Sequence, residues 1–345
     1  MFDLNRDIPL LLSLVFMAGG LFVLSWSADK FVDSAAKLAR AFGVSPLIVG
    51  MVIIGFGTSA PELAVSVLSG VANKADLSLG NAYGSCTFNV AAILGIAAIV
   101  CPIKVKPSVN YFGVPILLLT TLLSFVLVRD MTFERSNGII LLLAFLVLMP
   151  FYCWYDQKKG AKPKKKEDAP VPAARPKASL LDLVFLVVGF TLLVTSSHVL
   201  VWGCVDFARD VLGVSPLLIG LTVVAAGTSL PELASAIASA RRHEHEFVIG
   251  NIVGSNLFNM LAVVGISGTI APFAGFSKYI VSRDLPVMAA MTLMLAIFGI
   301  NWKHFIQGRF TRPGRIQRWE GAVWIVCFLI YLTIMVLQET GHWPK

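Results

Sequence analysis

The sequence predicts an all-α membrane protein of ten transmembrane helices, arranged as two inverted five-helix repeats with helices 2 and 7 broken. Three observations carry that prediction: a composition 57% hydrophobic and only 14% charged, long apolar runs, and one motif written twice at a constant spacing. A water-soluble domain carries about 25% charged residues. Here the mean hydropathy is +0.79 over 345 residues.

Residues 8–24, 112–128, 138–155, 180–201 and 321–337 are nearly free of charge, and each is long enough to cross a bilayer at about 1.5 Å per residue. The Gly-rich runs 45–71, 78–103, 213–240, 247–273 and 284–301 bring the expected spans to ten. Lipid offers the backbone no hydrogen-bond partner, so runs of this length must be helices. Asp3 and Asp7 precede the first run and no clear small-x-small cleavage pattern follows it, so it reads as a retained helix rather than a signal peptide.

Charge placement sets the orientation. With ten spans, the loops near 27–42, 104–110, 156–178, 241–246 and 302–319 share one side and hold 20 of the 28 Lys and Arg residues. That excess places the richer side in the cytoplasm and both termini outside, in a cell (plasma or inner) membrane. The net charge of +8 is thus a topology signal, and no basic patch interleaved with aromatics suggests nucleic acid. The bilayer is the expected partner, and no obligate protein partner is evident. The five cysteines Cys86, Cys101, Cys153, Cys204 and Cys327 form neither a metal spacing nor a disulfide framework and read as packing residues.

Residues 156–178 are Lys-rich and then Pro- and Ala-rich, the composition of a flexible linker. They divide the chain into repeats 1–155 and 179–345. Residues 43–64 and 213–234 are identical at 13 of 22 positions at an offset of 170, and the motif-bearing stretches extend to about 43–95 and 213–265. The offset continues through Gly80-Asn81 and Gly250-Asn251, Gly84-Ser85 and Gly254-Ser255, and Phe88-Asn89 and Phe258-Asn259. An odd number of spans per repeat turns the second half over relative to the first, which centres a shared site near the membrane midplane.

Of the 20 acidic residues, only Glu62 and Glu232 fall well inside apolar spans, and they are repeat equivalents. An intramembrane carboxylate is costly and marks function by default. The alternative for one lone Glu is a protonated side chain gluing two helices, but symmetry makes two such cases a weak account. Pro61 and Pro231 lack an N–H, which frees the carbonyls of Gly57 and Gly227, and those glycines make local unwinding easy. The stretch also carries Thr58 and Thr228. Ser85 with Asn89, and Ser255 with Asn259, are spaced i, i+4 and share a helix face, while Gly84 and Gly254 permit close helix approach. Carboxylates, hydroxyls, amides and carbonyls without His or Cys form a hard-oxygen set suited to Ca2+ or Na+ rather than Zn2+ or Cu2+.

Gly-Thr-Ser-Ala-Pro-Glu-Leu and Gly-Thr-Ser-Leu-Pro-Glu-Leu, each followed by Gly-Asn-x-x-Gly-Ser, resemble the two alpha-repeats of the calcium/cation antiporter superfamily, on its sodium/calcium exchanger side. The resemblance implies Ca2+ held by Glu62, Glu232 and the carbonyls of Thr58 and Thr228. It implies Na+ at overlapping sites that add carbonyls at Gly55 and Ala225 and the hydroxyls of Ser59, Ser229, Ser85 and Ser255. It further implies exchange of about three Na+ for one Ca2+ by alternating access, with spans one and six sliding across the rest and no other cofactor. Some relatives carry Asp where this chain has Asn259, so both amides here argue against K+ cotransport. Cys86 stands where the second repeat has Asn256.

A Ca2+/H+ exchanger of the same superfamily is the main alternative, since both carboxylates could titrate, although those relatives show Gly-Asn-Ala before the Glu. A cation channel would draw its charge rings from oligomeric symmetry, and paired intramembrane Asp residues for an aspartyl hydrolase are missing, so the chain is not expected to be an enzyme. Arg241-Arg-His-Glu-His-Glu246 suggests a metal or pH sensor in one reading and a solvated helix boundary in the other. The basic run from Arg309 to Arg318 suits topology and anionic headgroups.

Overall fold

The computed structural model describes residues 10–160, 179–210, 225–307 and 312–339. In chain order its elements are α1 (Leu10–Phe42), α2 (Pro46–Thr58), α3 (Ala60–Val71), α4 (Ala75–Val100), β1 (Ile103–Val105), α5 (Val109–Val128), β2 (Thr132–Phe133) and α6 (Arg135–Gly160). The second half holds α7 (Leu180–Asp210), α8 (Ala225–Thr228), α9 (Leu230–Arg241), α10 (His245–Ile270), β3 (Phe273–Ala274), α11 (Ile280–Gly299), α12 (Trp302–Ile306), β4 (Gly314–Ile316) and α13 (Arg318–Glu339).

Eight helices are long and apolar enough to cross a membrane, and α2 with α3 forms a ninth candidate bent by 44°. The expected span 213–240 falls partly outside the described residues; its second half is α9. Of the linker expected at 156–178, residues 156–160 end α6 and 161–178 lie outside the described residues, as do residues 309–311 of the Arg309–Arg318 run. The outer surface is apolar, with Leu11 74%, Phe22 73% and Leu180 76% exposed. A large apolar exterior of this kind fits lipid rather than water.

Residues 27–42, expected as a loop, instead continue α1 to Phe42. Their small and apolar members Ala28, Phe31, Val32, Ala35, Ala36 and Ala39 are buried, so tertiary packing extends the helix beyond its uncharged run. On its other face Asp33 pairs with Lys37 and Arg242, and Arg40 pairs with Glu244. Helix α7 likewise runs past residue 201.

Contacts between α1 and α7 show how the halves relate. A Cβ on Gly20 would meet Leu200, one on Gly189 would meet Phe31, and one on Gly203 would meet Ser13 and Met17. As one helix ascends in number the other descends, so α1 and α7 pack antiparallel. Strand β1 pairs antiparallel with β4, Ile103 opposite Ile316, and β2 with β3, Phe133 opposite Phe273. Each ribbon thus joins one half to the other, at opposite ends of the bundle. Cross-contacts sort the loops the same way: Ser45 with Asp156, and Lys106 with Glu246, at the linker end; Asp76 with Ser277 at the far end.

Helices α4 and α10 form the centre. Helix α10 is buried along its whole apolar window, because its glycines lie against α2 backbone to backbone. A Cβ on Gly250 would stand 2.5 Å from the Leu47 carbonyl oxygen, and one on Gly254 would clash with that of Met51. Several helices contain widened π turns, at Gly50–Gly55, Asn89–Ile93, Val109–Gly113, Phe258–Val263 and Ile280–Asp284. None was expected from the sequence, and π turns concentrate at functional sites.

Replacing Gly254 with Val should force α10 off α2, at a cost of about 1–3 kcal/mol or more, and lower the thermal midpoint of the detergent-solubilised protein. Gly19→Ala, at an exposed position with nothing within 4 Å of the new Cβ, should leave it unchanged. Equal midpoints for both variants would contradict the packing.

Candidate functional site

The interruption of α2–α3 occurs at a single residue. Thr58 closes α2, Ser59 leaves helical geometry with φ −84° and ψ 9°, and α3 starts at Ala60. Ser229 does the same between α8 and α9, with φ −92° and ψ 10°. Pro61 and Pro231 occupy the first turn of the new helix, where the missing N–H would be unpaired in any case. The Pro therefore does not strain the chain; it fixes where the second helix begins. Glu62 and Glu232 fall in these first turns, beside the positive end of each helix dipole, which stabilises a carboxylate.

Ser59-Ala60-Pro61-Glu62 has the spacing of a capping box, yet neither Ser59 nor Ser229 caps its own helix. The hydroxyls cross between repeats instead. Ser229 Oγ donates to Glu62 Oε1 at 2.8 Å, and Ser59 Oγ to Glu232 Oε1 at 2.9 Å. Glu62 is 0% and Glu232 1% exposed, so the two acids lie in one buried cluster tied by reciprocal bonds. Among the described residues, no Lys or Arg pairs with either.

Of the other expected residues, Ser85 joins this cluster directly. Ser85 Oγ lies 3.3 Å from Ser229 Oγ, and Ser255 Oγ donates to the Gly55 carbonyl at 3.0 Å. The Thr58 hydroxyl turns back to the Ile54 carbonyl at 2.9 Å. Thr228 and Gly227 are buried, and Ala225 opens α8. Asn89 and Asn259 sit within the π turns of α4 and α10, buried at 1% and 0% exposure. Gly57 packs on Phe190. The Gly227 carbonyl, freed by Pro231, accepts the Ser197 hydroxyl at 3.0 Å.

Sequence reasoning missed three supports. Asn81 Nδ2 donates to the Glu62 carbonyl at 3.0 Å and to Ser66, and Asn251 Nδ2 to the Glu232 carbonyl at 3.1 Å and to Ser235. Their repetition at the 170 offset was the available signal. Ser197 had none, because its contact spans two segments. The third is Asn256, whose carboxamide accepts from Asn89 Nδ2 at 3.0 Å and donates to the Cys86 carbonyl. Its repeat equivalent is Cys86, which has no amide to offer, so neither amide atom of Asn259 has a partner. The Cys86 substitution thereby leaves one of the two site amides unsatisfied.

Among the expected site residues, four buried side-chain oxygens have no protein partner: Glu62 Oε2, Glu232 Oε2, Asn89 Oδ1 and Asn259 Oδ1. Buried acceptors are rarely left unmet, and converging hard oxygens with two acids are chemically suited to a Ca2+- or Na+-like cation. Fold and site define a multi-pass membrane protein built around an intramembrane carboxylate pair, shared between two structurally repeated halves.

The sodium/calcium exchanger protein family matches residues 12–154 and 181–337, and the chain belongs to it. CaxA of Alkalimonas amylolytica is 37% identical over 93% of this chain and 98% of its own length. The inner membrane protein YrbG of Escherichia coli is 33% identical over 89% and 92%. A solved structure of the sodium-calcium exchanger NCX_Mj, soaked with zero Na+ and Ca2+, superposes with a TM-score of 0.78 at 27% identity, covering 94% of this chain and 99% of that one. The family and these likenesses make the chain a cation antiporter.

Asn251→Ala removes the amide that bridges the Glu232 carbonyl and Ser235 Oγ, leaving that carbonyl only the Ser235 hydroxyl as its side-chain donor, which should cost about 1 kcal/mol and lower the thermal midpoint. An unchanged midpoint would show that the amide is dispensable.

Proposed function

We propose that this protein exchanges about three Na+ for one Ca2+ by alternating access, with Glu62 and Glu232 as the counter-charge of the transported ion. The observation that carries this reading is the pair of reciprocally bonded buried acids, each with one oxygen unmet by protein. Two carboxylates balance one dehydrated Ca2+, whereas Mg2+ keeps its waters and demands a tighter octahedron. Thr58 and Thr228 add carbonyls, and Asn89 and Asn259 add amide oxygens. Ser59, Ser229, Ser85, Ser255, Gly55 and Ala225 complete overlapping Na+ positions.

The reading includes ten spans in two inverted repeats, 1–155 and 179–345, joined by a cytoplasmic linker at 156–178, with both termini outside. Antiparallel packing of α1 on α7 supports the inversion. These two helices form the sliding element, crossing the bundle so that the shared site faces each side in turn. No enzymatic step is required.

Glu62→Gln or Glu232→Gln should reduce Ca2+ uptake into Na+-loaded proteoliposomes to background while the protein stays monodisperse. Near-wild-type transport by either variant would remove the site. One net charge should move per cycle, worth about 2.3 kcal/mol per 100 mV, so an inside-positive potential should speed that uptake. Indifference to voltage would refute the stoichiometry, and uptake driven by a proton gradient alone would favour Ca2+/H+ exchange.

A further inference from the structure

At the linker end of the bundle, three side chains from separate segments meet. Cys101 follows α4, His243 lies in the turn between α9 and α10, and His245 starts α10. Cys101 Sγ is 3.2 Å from His243 Nδ1. One ligand atom from each of the three lies within 4.8 Å of the others. In a tetrahedral site with metal–sulfur and metal–nitrogen bonds of about 2.3 and 2.0 Å, ligand atoms stand roughly 3.3–3.6 Å apart. Small side-chain adjustments close the remaining gap. His245 Nδ1 is buried without a hydrogen-bond partner.

The backbone beneath these ligands is fixed. Cys101 leads into β1, which is zipped to β4. The His243 and Glu244 N–H groups bond to the carbonyls of Ala240 and Ser239 at 3.1 and 2.9 Å.

The molecule's own repeat supplies the control. At the 170 offset the three positions are occupied by Asn73, Ala75 and Ala271. Asn73 and His243 both take φ of 57°, so the turn needs a residue tolerant of left-handed geometry, and Asn meets that need. The fold therefore does not require imidazole or thiol here, yet this end of the bundle carries all three, two histidines from the second repeat's turn and a cysteine from the end of α4 in the first.

We propose that Cys101, His243 and His245 bind a borderline-soft divalent transition-metal ion of the Zn2+ class, with water as the fourth ligand, joining the end of α4 in one repeat to the α9–α10 turn in the other. One thiolate and two imidazoles suit such an ion and are poor ligands for Ca2+. Lys104, Lys106, Arg241, Arg242 and Arg315 stand on the same end, with Glu246 paired to Lys106 and Glu244 to Arg40. The site is separate from the carboxylate pair.

The test uses the full-length reduced protein in detergent, titrated anaerobically with Co2+ as a spectroscopic probe. Wild type should bind about one Co2+ per chain with a thiolate-to-metal charge-transfer band, and Zn2+ should displace it. Cys101→Ser should abolish the band. His243→Asn, which keeps the turn geometry, and His245→Ala should each weaken binding by about tenfold or more. Glu62→Gln should change nothing, and millimolar Ca2+ should not compete. A spectrum unaltered by Cys101→Ser, or loss of Co2+ on adding Ca2+ or in Glu62→Gln, would overturn the proposal.

Discussion

Two acids buried together inside a membrane protein repel one another and lose their hydration, and this constraint organises the rest of the molecule. No lysine or arginine pairs with Glu62 or Glu232 among the described residues. Compensation comes from weaker sources acting together. Each carboxylate sits in the first turn of a helix, where unpaired N–H groups and the dipole favour negative charge. Each also receives a hydroxyl from the opposite repeat. What is left over is one oxygen per acid with no protein partner. Broken helices are the means to this end, because only a helix that starts at membrane depth can offer its N-terminus there.

Reciprocal bonding demands that the repeats approach closely and in fixed register. Glycines on α10 allow its backbone to touch that of α2, and the carboxamides of Asn81 and Asn251 hold the main chain of the glutamates themselves. The two β ribbons then pin one half to the other at both ends of the bundle. Beside this centre, α1 and α7 form a paired layer that meets the rest through an apolar cluster including Leu24, Phe31, Leu193, Ile54 and Phe247, and through surface ion pairs.

Much of this was legible in the sequence because lipid leaves the backbone few options. Apolar length fixed most spans to within a few residues, and the doubled Gly-Thr-Ser-x-Pro-Glu marked the carboxylates and the breaks. The failures have physical causes. Residues 27–42 looked like a loop because charge was counted without knowing that Asp33 and Arg40 would find partners on the neighbouring turn. The π turns at Asn89 and Phe258 leave no trace in composition. The serine spacing suggested nothing about crossing hydroxyls, since a capping sequence ordinarily serves its own helix. Ser197, Asn256 and the Cys101–His243 contact depend on segments far apart in the chain, and only folding brings them together.

The mismatch between Cys86 and Asn256 reaches beyond its immediate neighbours. A machine whose halves were true copies would present identical binding properties whichever way it faced, and nothing in its own structure would distinguish loading on one side from unloading on the other. Here one amide is braced by a neighbour and its counterpart stands alone. That inequality makes the two halves of the site chemically distinct, so they do not meet a shared occupant on equal terms.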